Sequence, residues 1–325
     1  MGAAREDGGQ VVQIGPAPID WTKFIKEVGR GAHGARDLAE ADAQSLFGAM
    51  LDGAVPEMEL GAIWIAYRIK GESLQELLGF CKAAAARTAP VAAPAGPLPV
   101  ILPSYNGARR LPNMTPLLAM LLAREGVPVL IHGLAESYGR TTTVSILNEL
   151  GVAECAGSTE AGARLAREKL AYVPLKVLAP GLARLMAGRA RIGVRSSAHT
   201  VSKLLDPFRG TAVRVVPVTH PDYLKRMGDF LSAAGGPAVL LRGTEGEPYA
   251  SPRRMPALHW IAGGAQHELE PQGEHEAAEA ELPQVIDAAA TAQWTREVLA
   301  GSRPAPATLL RQVERIAVQC RMGLA

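Results

Sequence analysis

Seven cations stand between residues 184 and 214: Arg184, Arg189, Arg191, Arg195, Lys203, Arg209 and Arg214, with Asp206 as the one acid. Ser196, Ser197, Thr200 and Ser202 lie among them, and His199 adds charge below neutrality. Arginine, lysine and hydroxyl donors are groups that hold phosphate oxygens, and phosphate contacts carry no base sequence. The run reads either as a phosphate track or as a solvated helix face plus a loop. Phe208 is its one aromatic residue, so base stacking has little support. A second set is Arg140-Thr141-Thr142-Thr143, a cation and three hydroxyls that suit either a phosphate seat or a helix cap. His132 can line a cleft as a donor. As a general acid or base it needs a partner that the sequence does not name, so no catalytic residue is assigned. Glu245 and Glu247 flank Gly246 and follow Arg242, so they form either a polar turn or a weak magnesium pair. His259, His267 and His275 recur every eight residues, which is no metal-ligand spacing, and no metal site is expected.

Placing these groups is the task of the stretch from residue 99 to 151. Residues 99–103 form a short apolar run that breaks into the turn-forming Ser104-Tyr105-Asn106-Gly107. Asn113-Met114-Thr115-Pro116 reads as a helix start, since Asn and Thr oxygens can accept from free first-turn amides. The helix over 117–124 ends at Gly126, a left-handed cap position. Residues 127–131 are a second buried strand, closed by His132-Gly133, and a polar loop then leads into a helix stopped by Gly151. Two apolar strands joined by a helix make a parallel βαβ unit, whose ligands gather at the carboxyl ends of the strands. Asn106, Gly107, Asn113, Thr115, His132, Gly133, Arg140, Thr141 and Thr142 are therefore expected to line one cleft.

Residues 1–18 are Gly-rich and unpatterned, as in a disordered tail. Residues 19–88 form a helical module. Trp21, Phe24, Ile25 and Val28 recur at helical spacing; helices follow over 38–51 and 58–69; Ser73-Leu74-Gln75-Glu76 is a capping box that opens a fourth. Residues 89–98 are a Pro/Ala-rich linker. The remainder, 99–325, is α/β and closes with a helix over Ala307–Met322. At 48% hydrophobic the chain fills a core, and with 5% aromatics it does so with aliphatics. No apolar run reaches the roughly 20 residues needed to span a bilayer. The N-terminus lacks the apolar middle of a secretory signal. Cys81, Cys155 and Cys320 are far apart and odd in number, as expected for buried thiols in a reducing cytoplasm. The net charge of +2 predicts no polyanion partner, but the glutamates of 268–281, with no Lys or Arg, show that charge is segregated.

Leu38, Asp42-Ala43, Leu46, Met50-Leu51, Gly53, Pro56, Arg68, Lys70-Gly71-Glu72-Ser73, Glu76-Leu77 and Gly79 come in an order that resembles the helical domain of anthranilate phosphoribosyltransferases. Asn113-Met114-Thr115 is similar to that family's N-x-S-T helix start, His132-Gly133 to its H-G, and Leu147-Asn148-Glu149-Leu150-Gly151 to its L-E-A-L-G. Gly193-Val194-Arg195-Ser196-Ser197-Ala198-His199 resembles G-x-R-T-x-F-N, and Leu204-Leu205-Asp206-Pro207 resembles L-x-N-P. The likeness runs to about residue 250. It implies an N-terminal helical domain followed by a mostly parallel sheet flanked by helices, the phosphoribosyltransferase or nucleoside phosphorylase-like fold. It also implies a homodimer paired through the helical domain, and a return of residues 173–191 to pack on that domain.

The departures concern the donor site. Where the family has the phosphate loop G-T-G-G-D, this chain has Tyr105-Asn106-Gly107-Ala108-Arg109. Ile131 stands where the family has a lysine, and the family's magnesium-holding Asp-Glu pair falls near Arg242-Gly243-Thr244-Glu245-Gly246-Glu247. Backbone amides approach phosphates where residues are small, and a leaving diphosphate needs metal and donors. These departures resemble the YbiB-type branch of the superfamily, which keeps the fold without the glycine loop and is associated with sequence-independent nucleic-acid binding. The chain is thus expected to be a cytoplasmic, cofactor-free, dimeric binder of DNA or RNA through the 184–214 cations, away from membranes. The alternative that the resemblance implies is a phosphoribosyltransferase, a glycosyltransferase using phosphoribosyl pyrophosphate, magnesium and an aromatic amine such as anthranilate. Arg195 would then contact the acidic acceptor, with Asn113, Thr115, His132 and Arg140 at the donor.

Overall fold

The computed structural model describes residues 20–31, 33–136, 138–273 and 281–323. The expected N-terminal tail, His275 and the centre of the acidic run lie outside them. Four helices come first: α1 (Trp21–Val28), α2 (Glu40–Asp52), α3 (Glu57–Lys70) and α4 (Leu74–Ala85). Asp20 caps α1 by accepting from the Thr22 amide. The capping box of α4 forms as read from the sequence, Ser73 accepting from the Glu76 amide and Glu76 from the Ser73 amide. Glu76 also accepts from the Leu38 amide, the Tyr67 hydroxyl and Lys70 Nζ, so one buried carboxylate ties three segments of the module together. Between the module and the sheet no helix or strand forms. The segment is nevertheless bonded to the body, with Ala89 and Val91 amides donating to the Leu178 and Pro207 carbonyls.

The α/β part then runs β1 (Val100–Ser104), α5 (Thr115–Arg124), β2 (Val129–Gly133), α6 (Thr143–Glu149), α7 (Ser158–Glu168) and β3 (Leu170–Pro174). Short helices α8 (Leu175–Leu178), α9 (Pro180–Ala187), α10 (Arg189–Ile192) and α11 (Ala198–Ser202) cross back before β4 (Val213–Val218). Next come α12 (Pro221–Ala234), β5 (Ala238–Arg242), β6 (Leu258–Ala262), β7 (Ala265–Glu270), α13 (Ala288–Leu299) and α14 (Ala307–Met322). The seven strands line up as β3-β2-β1-β4-β5-β6-β7; the first five are parallel and β6 and β7 antiparallel.

Alternation along the strands divides the core in two. Val100, Leu102, Val129, Ile131, Val213 and Val215 face α5, α13 and α14. Ile101, Leu130, Val216 and Leu240 face the other way, toward the helical module, where Phe47 and Phe80 stack with ring centroids 4.6 Å apart. Burial on both faces is why these strands read as unbroken apolar runs. Helix α9 packs on α2, the contact that the resemblance implied, and Arg184 donates from there to the Leu51 carbonyl. Among the described residues no helix is long and apolar enough to cross a membrane.

Candidate functional site

The carboxyl ends of β1, β2, β4 and β5 open onto one cleft, and its floor is built around a carboxylate. Glu247 is fully buried. Its Oε1 accepts from the amides of Asn106 at 2.8 Å and Gly107 at 2.9 Å. Its Oε2 accepts from Ser104 Oγ at 2.5 Å and Thr115 Oγ1 at 3.1 Å. Glu245 does the same for the next stretch of the loop. It accepts from the amides of Arg109, Arg110 and Leu111 at 2.9–3.2 Å, and Arg140 Nη1 lies 3.3 Å away. Five backbone amides of the loop after β1 thus point at two carboxylates of the loop after β5. Such a nest is an anion site, and here the chain supplies the anions.

Local geometry enforces this. Gly107 has φ 65°, and a Cβ there would stand 2.9 Å from the Thr141 carbonyl oxygen. Gly246 has φ 87°, and a Cβ there would overlap Asn106 Nδ2 at 1.9 Å. Glu245 itself sits at φ 53°, left-handed without being glycine, held there by its amide partners. The amides of this loop are therefore already bonded to the chain's own carboxylates.

The remaining cleft candidates hold this floor together. Asn113, fully buried, accepts from the Thr115 amide at 3.1 Å and donates to Thr143 Oγ1 at 3.0 Å, while Ser104 Oγ reaches the same hydroxyl at 2.7 Å. Thr142 caps α6 through the Ser145 amide, and Thr141 donates to the Ile286 carbonyl. Of the two readings of Arg140-Thr141-Thr142-Thr143, Thr142 follows the capping one, Thr141 and Thr143 bond within the fold, and Arg140 bonds the Gly107 carbonyl and Glu245. Gly133 lets β2 close against the Ser104 carbonyl, where a Cβ would come to 2.0 Å. His132 is fully buried, shares a hydrogen bond with the Tyr105 hydroxyl through Nδ1, and leaves Nε2 without a partner among the described residues. Burial pulls its pKa down to about 3, so the ring is neutral.

The basic run does not form one track. Arg214 is buried in β4 and donates to the Gly235 carbonyl, near the start of the strand, with exposed Arg209 beside it. Arg184 is bonded at the helix junction, and exposed Arg191 pairs with Glu57 at 2.8 Å. Lys203 lies at the cleft end but donates to the Gly246 carbonyl at 3.0 Å, and burial lowers its pKa to about 8. Consecutive short helices and a central strand carry these side chains to different places.

What does assemble is a smaller cluster drawn from four segments. Arg195 is half-buried and donates to Asn106 Oδ1 at 2.7 Å. Burial lowers its pKa first, and the neighbouring charges of Arg189, Arg140 and Arg68 lower it further. His199 is held to about 4 by burial and by Arg195 and Arg189. Arg189 rests over the Tyr138 ring, 4.3 Å from its centroid. Among the described residues Arg140 has Glu245 as acid partner, while Arg68, Arg189 and Arg195 have no carboxylate within 4 Å. Arg68 and Arg140 lie far outside the 184–214 run, and the one sequence signal for Arg68 is its place in the Arg68-x-Lys70-Gly71-Glu72-Ser73 motif. The cleft beside this cluster has a volume of about 390 Å³ and runs from Tyr67 and Arg68 of α3 to Thr219 beyond β4.

Magnesium does not suit this donor set. The oxygens of Glu245 and Glu247 turn to amides and hydroxyls rather than toward a shared point, and no group of three His, Cys, Asp or Glu side chains converges among the described residues.

Residues 22–88 match the model of the glycosyl transferase family helical bundle domain. The chain is 43% identical to the uncharacterized protein YbiB of Escherichia coli K12 over 297 residues, 91% of this chain and 92% of that one. It is 28% identical to the anthranilate phosphoribosyltransferase of Methylocella silvestris over 67% of this chain and 62% of the relative. The crystal structure of anthranilate phosphoribosyltransferase from Thermus thermophilus superposes with TM-score 0.71 at 20% identity, covering 94% of this chain and 90% of that one.

Proposed function

The chain belongs to the family of Escherichia coli YbiB, within the anthranilate phosphoribosyltransferase-like superfamily, and from that premise we propose that it binds DNA or RNA through phosphate contacts without reading sequence. The observation that supports this most is the pairing of a self-occupied amide nest with uncompensated cations at its rim. Glu245 and Glu247 occupy the amides that a donor diphosphate would need. Arg68 and Arg195 line the cleft, and Arg189 stands close enough that both it and Arg68 repel Arg195, so an entering polyanion relieves that repulsion. Exposed Arg109 and Arg110 extend this charge outward from the loop.

Two copies would lengthen the surface. Met58, Ile65 and Ile69 are exposed on α3 at 81%, 40% and 62%, and this spacing puts them on one face of the helix. They support a homodimer through the helical domain. Light scattering on Ile69→Glu, where dimerisation fails, checks it against a native protein of twice the chain mass.

Fluorescence anisotropy with unrelated single-stranded oligonucleotides over a salt series tests the binding. Replacing Arg68, Arg189 and Arg195 with alanine is expected to lower the salt slope by about 0.7 for each phosphate that is no longer neutralised. Salt-independent binding, or an unchanged slope in the triple variant, contradicts the reading. A second reading, phosphoribosyl transfer to an aromatic amine such as anthranilate with magnesium, is favoured by the relatives named as anthranilate phosphoribosyltransferases. Turnover of phosphoribosyl pyrophosphate with anthranilate and magnesium would establish it in place of the first.

A further inference from the structure

Toward the other end of the sheet, divided from the cationic cleft by Leu204, which lines both, a cavity of about 540 Å³ opens between α4 of the helical module and the first residues of β4. Its volume is that of a small-molecule site. Leu78, Val201, Leu204, Leu205 and Phe230 make the wall apolar. Set into that wall is a guanidinium with no direct ion pair. Arg214 is 6% exposed, and one of its nitrogens donates to the Gly235 carbonyl. Its Nε finds no acceptor among the described residues, and no carboxylate among them pairs with it directly. Asp206, the acid that shares the cavity, acts on Arg214 only through its charge from beyond 4 Å, while its oxygens accept from the amides of Phe208 at 3.0 Å and Gly210 at 2.6 Å. Two further cations line it: Lys82, which pairs with Glu40, and Arg209, exposed on the loop of Asp206 and without a carboxylate within 4 Å among the described residues.

A cation removed from water and left unpaired is costly, and natural structures compensate such groups with an anion. An anion alone would leave the apolar wall unused; an apolar molecule alone would leave Arg214 with the distant Asp206 as its one compensating charge in the cavity. We infer that this cavity binds a small amphipathic acid, with an aliphatic or aromatic body against Leu78, Leu204 and Phe230 and a carboxylate directed to Arg214. Guanidinium takes carboxylate in a two-point geometry that a hydroxyl cannot reproduce, so the site discriminates acid from alcohol. Because the cavity is walled by α4 on one side and β4 on the other, its occupant braces the helical module against the sheet.

Isothermal titration calorimetry on the full chain with sodium octanoate and 1-octanol tests this. One octanoate is expected per chain, bound at least tenfold more tightly than octanol. Arg214→Met removes that discrimination. Ala85→Trp, at an exposed position lining the cavity, fills the space and abolishes octanoate binding with the circular dichroism spectrum unchanged. Where Arg214→Met does not fold, the octanoate-to-octanol ratio of the native chain and the loss in Ala85→Trp decide the matter. Equal affinity for acid and alcohol in the native chain, or full octanoate binding in Ala85→Trp, overturns the proposal.

Discussion

The floor and the rim of one cleft treat charge in opposite ways. On the floor, Glu247 has four donors and no missing partner, and it is closed to solvent. At the rim, Arg68, Arg189 and Arg195 crowd together with no carboxylate within reach among the described residues. Buried polar groups that complete one another define structure, since each removal leaves its partners stranded. Like charges held together without compensation lower stability and are retained where a ligand will neutralise them. The amide nest is thus occupied on the floor, while cations without a carboxylate partner among the described residues stand at the rim.

The sharpest way to break this contrast is Glu247→Ala. Two amides and two hydroxyls would lose their acceptor, and unfolding in urea should show a loss of about 3 kcal/mol. Added phosphate or pyrophosphate should restore part of it by entering the vacated nest; no recovery in phosphate would mean that the nest is not an anion site. Second in size is the response to acid. His132 is held to about 3 in the folded chain, so the unfolded chain takes up its proton first, near pH 6.5. Stability is therefore present above pH 6.5 and lost as pH falls toward 3, by about 2 kcal/mol between pH 7 and pH 5. Urea midpoints of His132→Asn should fall less steeply over that interval. Smaller again, and of opposite sign to the floor, is Arg195→Met. Relieving repulsion at the rim should stabilise the chain by up to about 1 kcal/mol at low salt, with the gain shrinking as salt is added. Last, Arg191→Ala should leave the urea midpoint where it was, because its pair with Glu57 is open to solvent.

Legibility followed the range of the interactions involved. The capping box at Ser73, the left-handed stops at Gly126 and Gly151, and the last helix at Ala307–Met322 all depend on groups within a few positions, and each was readable. Glu245 and Glu247 read as a polar turn or a weak metal pair because their partners, Asn106 to Leu111, stand some 134 to 141 residues away. Arg214 belongs to a basic run by sequence, yet the period of β4 and the short helices before it carry it to the far end of the sheet, inside a wall.

Composition and local pattern by themselves determined the class of this protein: a helical module, then alternating strands and helices with ligand loops at the strand ends. The resemblance to anthranilate phosphoribosyltransferases added the expectation of an altered phosphate loop at Tyr105-Asn106-Gly107-Ala108-Arg109. Which cations share a cleft, and that two glutamates fill the nest, was decided only in three dimensions, because electrostatics and hydrogen bonding act over ångströms in space and take no account of distance along the chain.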